Sequence, residues 1–370
     1  MSEKPKKVCV FYMGGHAFAE DPGDNGPLVL PSDERITEIV EKEIAPKLLK
    51  NDIVLDFKIL DHKDVTGANL SEKDWNKVGE RIAEEYRSYD GFVVMQGANT
   101  IPFAAAHLAF ATENLGKPII FADVPVSRGS KRIRPDQSLL TSAQFAAYSQ
   151  VPEIMVLSGT EKLIRGIDAI EVSAQGYGTF AARNGHVIGE AGQELTLNPR
   201  YQRPAPEGEF GFYPSDSNFS IHVEAVNPAA TTLPYALKGE GTEGVIIVAY
   251  GAGGMPLQQK GFSESLQQAK DRKIPVIAVT DCVDGGIDFN HVARGQDILD
   301  FGVISGGTMT TAAVRAKLSF LLSKQTPYDQ IPVKMAENMV GELDSAPTVL
   351  AVPGESSGLK TAAKPAANLK

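Results

Sequence analysis

The recurring unit of this chain is a short apolar run rich in β-branched residues, a turn carrying Gly or Asp, and then an amphipathic stretch of helical period. Parallel strands need that order, because each must return over the sheet through a crossover before the next can lie beside it. Residues 8–12 and 53–60 read as the first two strands. Residues 71–86 read as a helix with Trp75, Val78 and Ile82 on one face, opened by Ser71 and Asp74 at capping-box spacing. A fully apolar strand at 91–95 follows, then a helix from about 102 and strands at 118–122 and 151–157. Residues 200–214 are rich in Pro, Gly and aromatics without periodicity and read as a connection. A second series has strands at 220–225, 244–250, 275–280 and 303–305, with helices at 263–272 and 310–323.

Two domains fit the length, since 370 residues exceed one ordinary hydrophobic core. The expected division is an N-terminal α/β domain over 6–199, a connection and start of the second unit over 200–240, and a C-terminal α/β domain over 241–335. From residue 345 to 370 the chain turns into Ala, Pro, Ser, Gly and Lys and reads as a flexible tail. A net charge of −10 argues against a nucleic-acid partner, which needs a concentrated basic surface. The small basic patch of Lys131, Arg132 and Arg134 reads as a solvated loop. No run approaches the roughly 20 apolar residues of a membrane span. The charged segment 1–7 leads straight into a strand without a signal peptide. Two distant cysteines, Cys9 and Cys282, point to a reducing, cytoplasmic setting with no disulfide, and Cys9 reads as a buried structural thiol.

Five segments then occur in an order that resembles the L-asparaginase family of amidohydrolases. These are Tyr12-Met13-Gly14-Gly15-His16-Ala17, Asp61-His62-Lys63-Asp64-Val65, and the run from Tyr89 through Met95-Gln96-Gly97-Ala98-Asn99-Thr100. The last two are Gly251-Ala252-Gly253-Gly254-Met255-Pro256 and Gly306-Gly307-Thr308-Met309-Thr310. The resemblance implies a larger N-terminal parallel-sheet domain with a left-handed crossover and a smaller C-terminal α/β domain. It also implies a homo-oligomer, dimer or tetramer, with each site between the N-domain of one subunit and the C-domain of its neighbour.

The same resemblance implies hydrolysis of a side-chain amide by a threonine hydroxyl, assisted by a second threonine, an aspartate and a lysine. Here Met13 stands at the first threonine, His16 at another threonine of that turn, and Ala98 and Asn99 at the threonine and aspartate of the next. His62 and Lys63 stand at the substrate-binding serine and its neighbour, Glu171 at the lysine, and Gly254 where many members carry an asparagine. A thioether has no proton to lose, and an amide cannot act as base. The resulting expectation is an asparaginase-like protein without asparagine hydrolysis, binding a small molecule or serving as a structural oligomer. The alternative is an amidohydrolase with a rearranged site drawing on Thr100, His62 and Lys63.

Met13, His16, His62, Lys63, Ala98, Asn99 and Glu171 are therefore the candidate ligand-binding positions, with no catalytic residue assigned. Gly14, Gly15 and Gly97 have a bland reading as turn geometry beside the functional one of close backbone approach. Two histidines with Glu171 could bind a divalent ion, but they lack local metal spacing, and neither metal nor cofactor is expected. His107, in an Ala-rich helical stretch, reads as packed or surface helix. Asp136 is assigned no chemistry.

Overall fold

The computed structural model of the protein describes residues 4–20, 27–122, 136–174, 176, 178–215, 219–228 and 241–344, so the basic patch at 131–134 and the 345–370 tail lie outside the described residues. In chain order come β1 (Lys6–Gly14), α1 (Asp33–Ile39), a π-helical stretch (Val40–Ile44) and α2 (Ala45–Leu49). Then follow β2 (Ile53–Asp64), α3 (Glu72–Glu85), β3 (Gly91–Met95), α4 (Ile101–Ala111), β4 (Thr112–Glu113) and β5 (Ile119–Ala122). The first unit continues with α5 (Asp136–Tyr148), β6 (Ile154–Ser158), β7 (Lys162–Arg165), β8 (Ala169–Glu171), β9 (Phe180–Ala182), β10 (Val187–Ala191) and β11 (Leu195–Leu197). After β12 (Gly211–Phe212), the second unit has β13 (Ile221–Ala225), β14 (Gly244–Ala249), α6 (Lys260–Asp271) and β15 (Val276–Thr280). It closes with α7 (Gly295–Asp300), β16 (Val303–Ser305), α8 (Thr311–Ser323) and α9 (Ile331–Ala336).

The larger sheet has eight strands in the order β11-β10-β7-β6-β5-β3-β1-β2, and the smaller has four in the order β13-β14-β15-β16. The small sheet is parallel throughout, as are β2, β1, β3, β5 and β6 of the large one. The joining of β7, β10 and β11 is antiparallel, an extension the sequence pattern does not announce. Those strands are three to five residues long, and β11 is largely exposed, so no long apolar run marks them. α5 also escapes the pattern, because Ser138 to Ala143 and Phe145 to Ala147 are all buried and leave no polar face to set a period. α3, by contrast, carries the expected capping box at Ser71 and Asp74.

Strand period two divides the core. Val8 and Val10 of β1 face α1, α2 and α5, whereas Cys9, Phe11 and Met13 face α3 and α4. Cys9 is fully buried and burial pushes its thiol up to about 12, as suits a structural residue. Among the described residues no helix is long and apolar enough to cross a membrane.

The two units are joined through α4 and α8. Ala106 and Phe110 of α4 share an apolar cluster with Ala313, Val314 and Leu318 of α8, and Phe110 stacks on Phe320 at 6.0 Å. Beneath this seam Lys317, with a side chain 0% exposed, donates to Glu342 Oε1 at 2.6 Å and to the carbonyls of Met335 and Glu337. Glu342 in turn accepts from the backbone N–H groups of Met339 and Val340, so both charges are paired and hydrogen-bonded. Removing one partner leaves a buried charge unsatisfied. Lys317→Met should therefore cost about 3–5 kcal/mol in urea unfolding, and the Lys317→Met, Glu342→Gln double variant should recover part of that loss.

Candidate functional site

Register decides which side chains can meet. β1 lies between β2 and β3, with Tyr12 opposite both Ile59 and Met95, and Gly14 opposite Asp64. The carboxyl ends of three neighbouring strands therefore bring the turns of Met13 to His16, His62 to Asp64, and Gly97 to Asn99 to one edge of the sheet. Open α/β sheets take their ligands at that edge.

The turns are locked to one another. Gly14 has φ of 110°, and a Cβ there would fall 2.2 Å from the Asp64 carbonyl oxygen, so no side chain fits. The Gly15 N–H donates to the same carbonyl at 3.0 Å. The Asp64 carboxylate closes its own loop: Oδ1 accepts from Thr66 N at 2.8 Å, Gly67 N at 2.7 Å and Thr66 Oγ1 at 2.9 Å, while Oδ2 accepts from the Asn69 amide. Burial pushes the Asp64 pKa up, but the bonds from Asn69, Thr66 and Gly67 outweigh it and bring it down to about 2 from an ordinary 3.8. The closed loop then docks on the β3 turn. Asn99 N–H donates to Thr66 O at 3.0 Å and Thr100 Oγ1 to Gly67 O at 2.8 Å. A Cβ on Gly97 would fall 2.0 Å from the Thr66 carbonyl carbon.

Within this frame the candidate positions separate. Met13 is 1% and Ala98 4% exposed, both in the apolar cluster with Leu70, Trp75 and Ile101. They are brought together as packed side chains. Asn99 is exposed, and His16 is half-buried in the turn after β1, its carbonyl accepting from Ala19 N at 3.1 Å. Lys63 pairs with Asp33 at 2.5 Å. His62 lies in β2, and its side chain is outside the described part of the structure. Glu171 is exposed at the end of the β8–β9 hairpin, which is tied to the carboxyl end of β6 through Ser158 Oγ and the Phe180 backbone. β6 lies two strands from β3, a separation of about 10 Å from interstrand spacing. Among the described residues no three His, Cys, Asp or Glu side chains group to hold a metal ion.

His107 is packed, not a surface residue. Its Nε2 lies 2.8 Å from Asn76 Oδ1, and burial, then the nearby Arg315 charge, lower its pKa to about 4. Asp136 pairs with Lys47 at 2.8 Å. Asp64 carries no assigned role in the sequence, although Asp64-Val65-Thr66-Gly67 has the signature of an Asx turn, and Thr100, a candidate of the alternative site, serves to bond the Gly67 carbonyl.

The geometry defines a two-domain α/β protein with a parallel core whose candidate site sits on glycine turns at the carboxyl edge of the larger sheet. Residues 7–203 match the family described as Asparaginase, N-terminal, and residues 224–335 match the Glutaminase/Asparaginase C-terminal domain. The chain belongs to the asparaginase family. It is similar to L-asparaginase 1 of Escherichia coli K12, 31% identical over 291 residues that cover 78% of this chain and 85% of that protein. The crystal structure of L-asparaginase I from Vibrio cholerae superposes with a TM-score of 0.79 at 25% identity, covering 92% of this chain and 99% of that one. The thermostable L-asparaginase of Thermococcus kodakarensis shares the fold, with a TM-score of 0.80 at 22% identity, covering 92% and 100%.

Because the folded pKa of Asp64 lies below its unfolded value, its clasp is at full strength above about 3.8 and is lost as pH falls from there through about 2. Asp64→Asn should weaken the loop already at neutral pH. Hydrogen exchange at the Thr66 and Gly67 amides should quicken by roughly tenfold or more; unchanged protection would mean the carboxylate does not hold the turn.

Proposed function

We propose that this member of the asparaginase family does not hydrolyse asparagine and serves as an oligomeric small-molecule-binding or structural protein. The observation that carries the reading is the packing of Met13 against the same apolar cluster as Ala98, at the positions where the family resemblance implies threonines. Neither a thioether nor a methyl group can attack an amide carbon or relay a proton. A hydroxyl on the same turn as Ala98 is that of Thr100. Its proton is committed to the Gly67 carbonyl at 2.8 Å, and its oxygen already accepts from Gln96 Nε2 at 3.2 Å, which leaves it without a base. Lys63 is occupied by Asp33, and Glu171 offers a carboxylate where the resemblance implies an ammonium.

Several exposed large side chains are consistent with an oligomer, among them Tyr250 at 46% exposure beside the Gly251 to Gly254 turn. A cytoplasmic setting fits both cysteines being free thiols.

Purified protein should release no ammonia from asparagine or glutamine above background. Turnover that disappears in Thr100→Val would overturn the reading in favour of a rearranged amidohydrolase. Restoring the residues the resemblance implies through Met13→Thr, His16→Thr, His62→Ser, Ala98→Thr, Asn99→Asp and Glu171→Lys should give folded protein with at most weak hydrolysis, since catalysis requires placement to within about half an ångström. Light scattering at micromolar concentration should return a multiple of the 39.6 kDa chain mass; a monomer would remove the oligomeric part of the proposal.

A further inference from the structure

Away from the glycine turns, a cavity of about 770 Å³ opens where the end of β7, the loop between β9 and β10, residues 200–204 and residues 338–344 converge. In a chain with a net charge of −10, its wall concentrates Arg165, Arg200 and Arg203 with His186, against the single carboxylate of Asp344. The neutralisation of these charges is uneven. Arg165 is paired: its Nε donates to Glu153 Oε2 at 2.5 Å, and its remaining nitrogens reach Asp168 at 3.6 Å and the carbonyls of Gly341 and Tyr201. Asp344 is also engaged, by the Asn184 amide and by His186 Nδ1 at 3.3 Å.

Neither the Arg200 nor the Arg203 guanidinium forms an ion pair among the described residues, although the Arg203 backbone N–H donates to Glu153 Oε1 at 2.7 Å and the buried Glu153 already pairs with Arg165. Arg203 is half-buried, and its guanidinium spends one donor on the Met339 carbonyl at 3.1 Å. Arg200 lies over the ring of Tyr201 at 5.8 Å, and Tyr201 is itself stacked on His186 at 4.6 Å. Arg183, next in sequence to the lining residue Asn184, is 3% exposed and donates to the Met309 carbonyl, with two further guanidinium nitrogens lacking an acceptor among the described residues, and it lies in the field of Asp168, Asp281 and Asp344. The wall also offers the Thr308 hydroxyl, whose oxygen accepts from Asp344 N at 2.9 Å and leaves its proton to donate.

A wall with an excess of donors and of positive charge is complementary to an oxyanion, and the fork of a guanidinium matches two oxygens of a phosphate. The volume falls within the range of small-molecule sites and exceeds what an inorganic ion alone would fill. We propose that this cavity binds a phosphorylated small metabolite, its phosphate group held by Arg200 and Arg203. The inference stands apart from the carboxyl-edge site and does not depend on whether that site is catalytic.

Calorimetry on the full chain, with inorganic pyrophosphate and ADP as probes and citrate as a carboxylate control, tests it. Pyrophosphate and ADP should bind saturably and more tightly than citrate. Arg203→Gln should weaken both phosphates by at least about tenfold, the effect of one charge-assisted contact. Because Arg203 also holds the Met339 carbonyl, Arg200→Gln serves as the second variant: that side chain is exposed, so its loss should weaken binding while leaving the melting temperature unchanged. Absence of saturable binding, equal affinity for citrate, or full phosphate affinity in Arg200→Gln would each overturn the proposal.

Discussion

The carboxylate of Asp64 is the fixed point of the molecule's carboxyl edge. It ends β2, stands in register with Gly14, and gathers the Thr66, Gly67 and Asn69 donors into a closed loop. That loop presses on Gly97 so closely that neither backbone could carry a side chain at the contact. Three strand ends are thus set by one acidic group and by glycines with no room for a Cβ. A local Asx turn becomes a tertiary constraint, since Asn99 and Thr100 of the next turn bond to the loop's carbonyls.

What the frame presents follows from strand period. Odd-numbered residues of β1 face α3 and α4, so residue 13 extends the row begun by Cys9 and Phe11. A methionine in that row completes an apolar surface together with Ala98 and Leu70. The glycine turns keep their backbone path while Met13 and Ala98 beside them pack as core, and this is the observation on which the proposed absence of hydrolysis rests. The turns are held by Asp64, the glycines and Thr100, so their path does not depend on which side chains stand at 13 and 98.

Much of the architecture is legible in the sequence because the central strands are continuous apolar runs: residues 91–95 coincide with β3, and residues 275–280 contain the interior strand β15. The antiparallel extension is not, since strands of three to five residues on a half-exposed edge carry little periodic signal. α5 is hidden for the opposite reason, being buried on nearly every face. At the site, residue identities show which groups each turn carries, whereas partners such as Thr100 with Gly67 or Lys63 with Asp33 depend on how separate segments dock. The cationic cavity is invisible in sequence, because Arg165, Arg200 and Arg203 have no motif in common and meet only after residues 338–344 cross the seam.

The central claim is that Met13 belongs to the packed core and does not meet substrate. It is tested most directly by NMR of protein labelled at its methionine methyl groups, with the Met13 signal assigned through Met13→Leu. The account predicts a Met13 methyl shielded from a soluble paramagnetic agent and unmoved by asparagine. A methyl that the agent reaches and that shifts saturably with asparagine would contradict it.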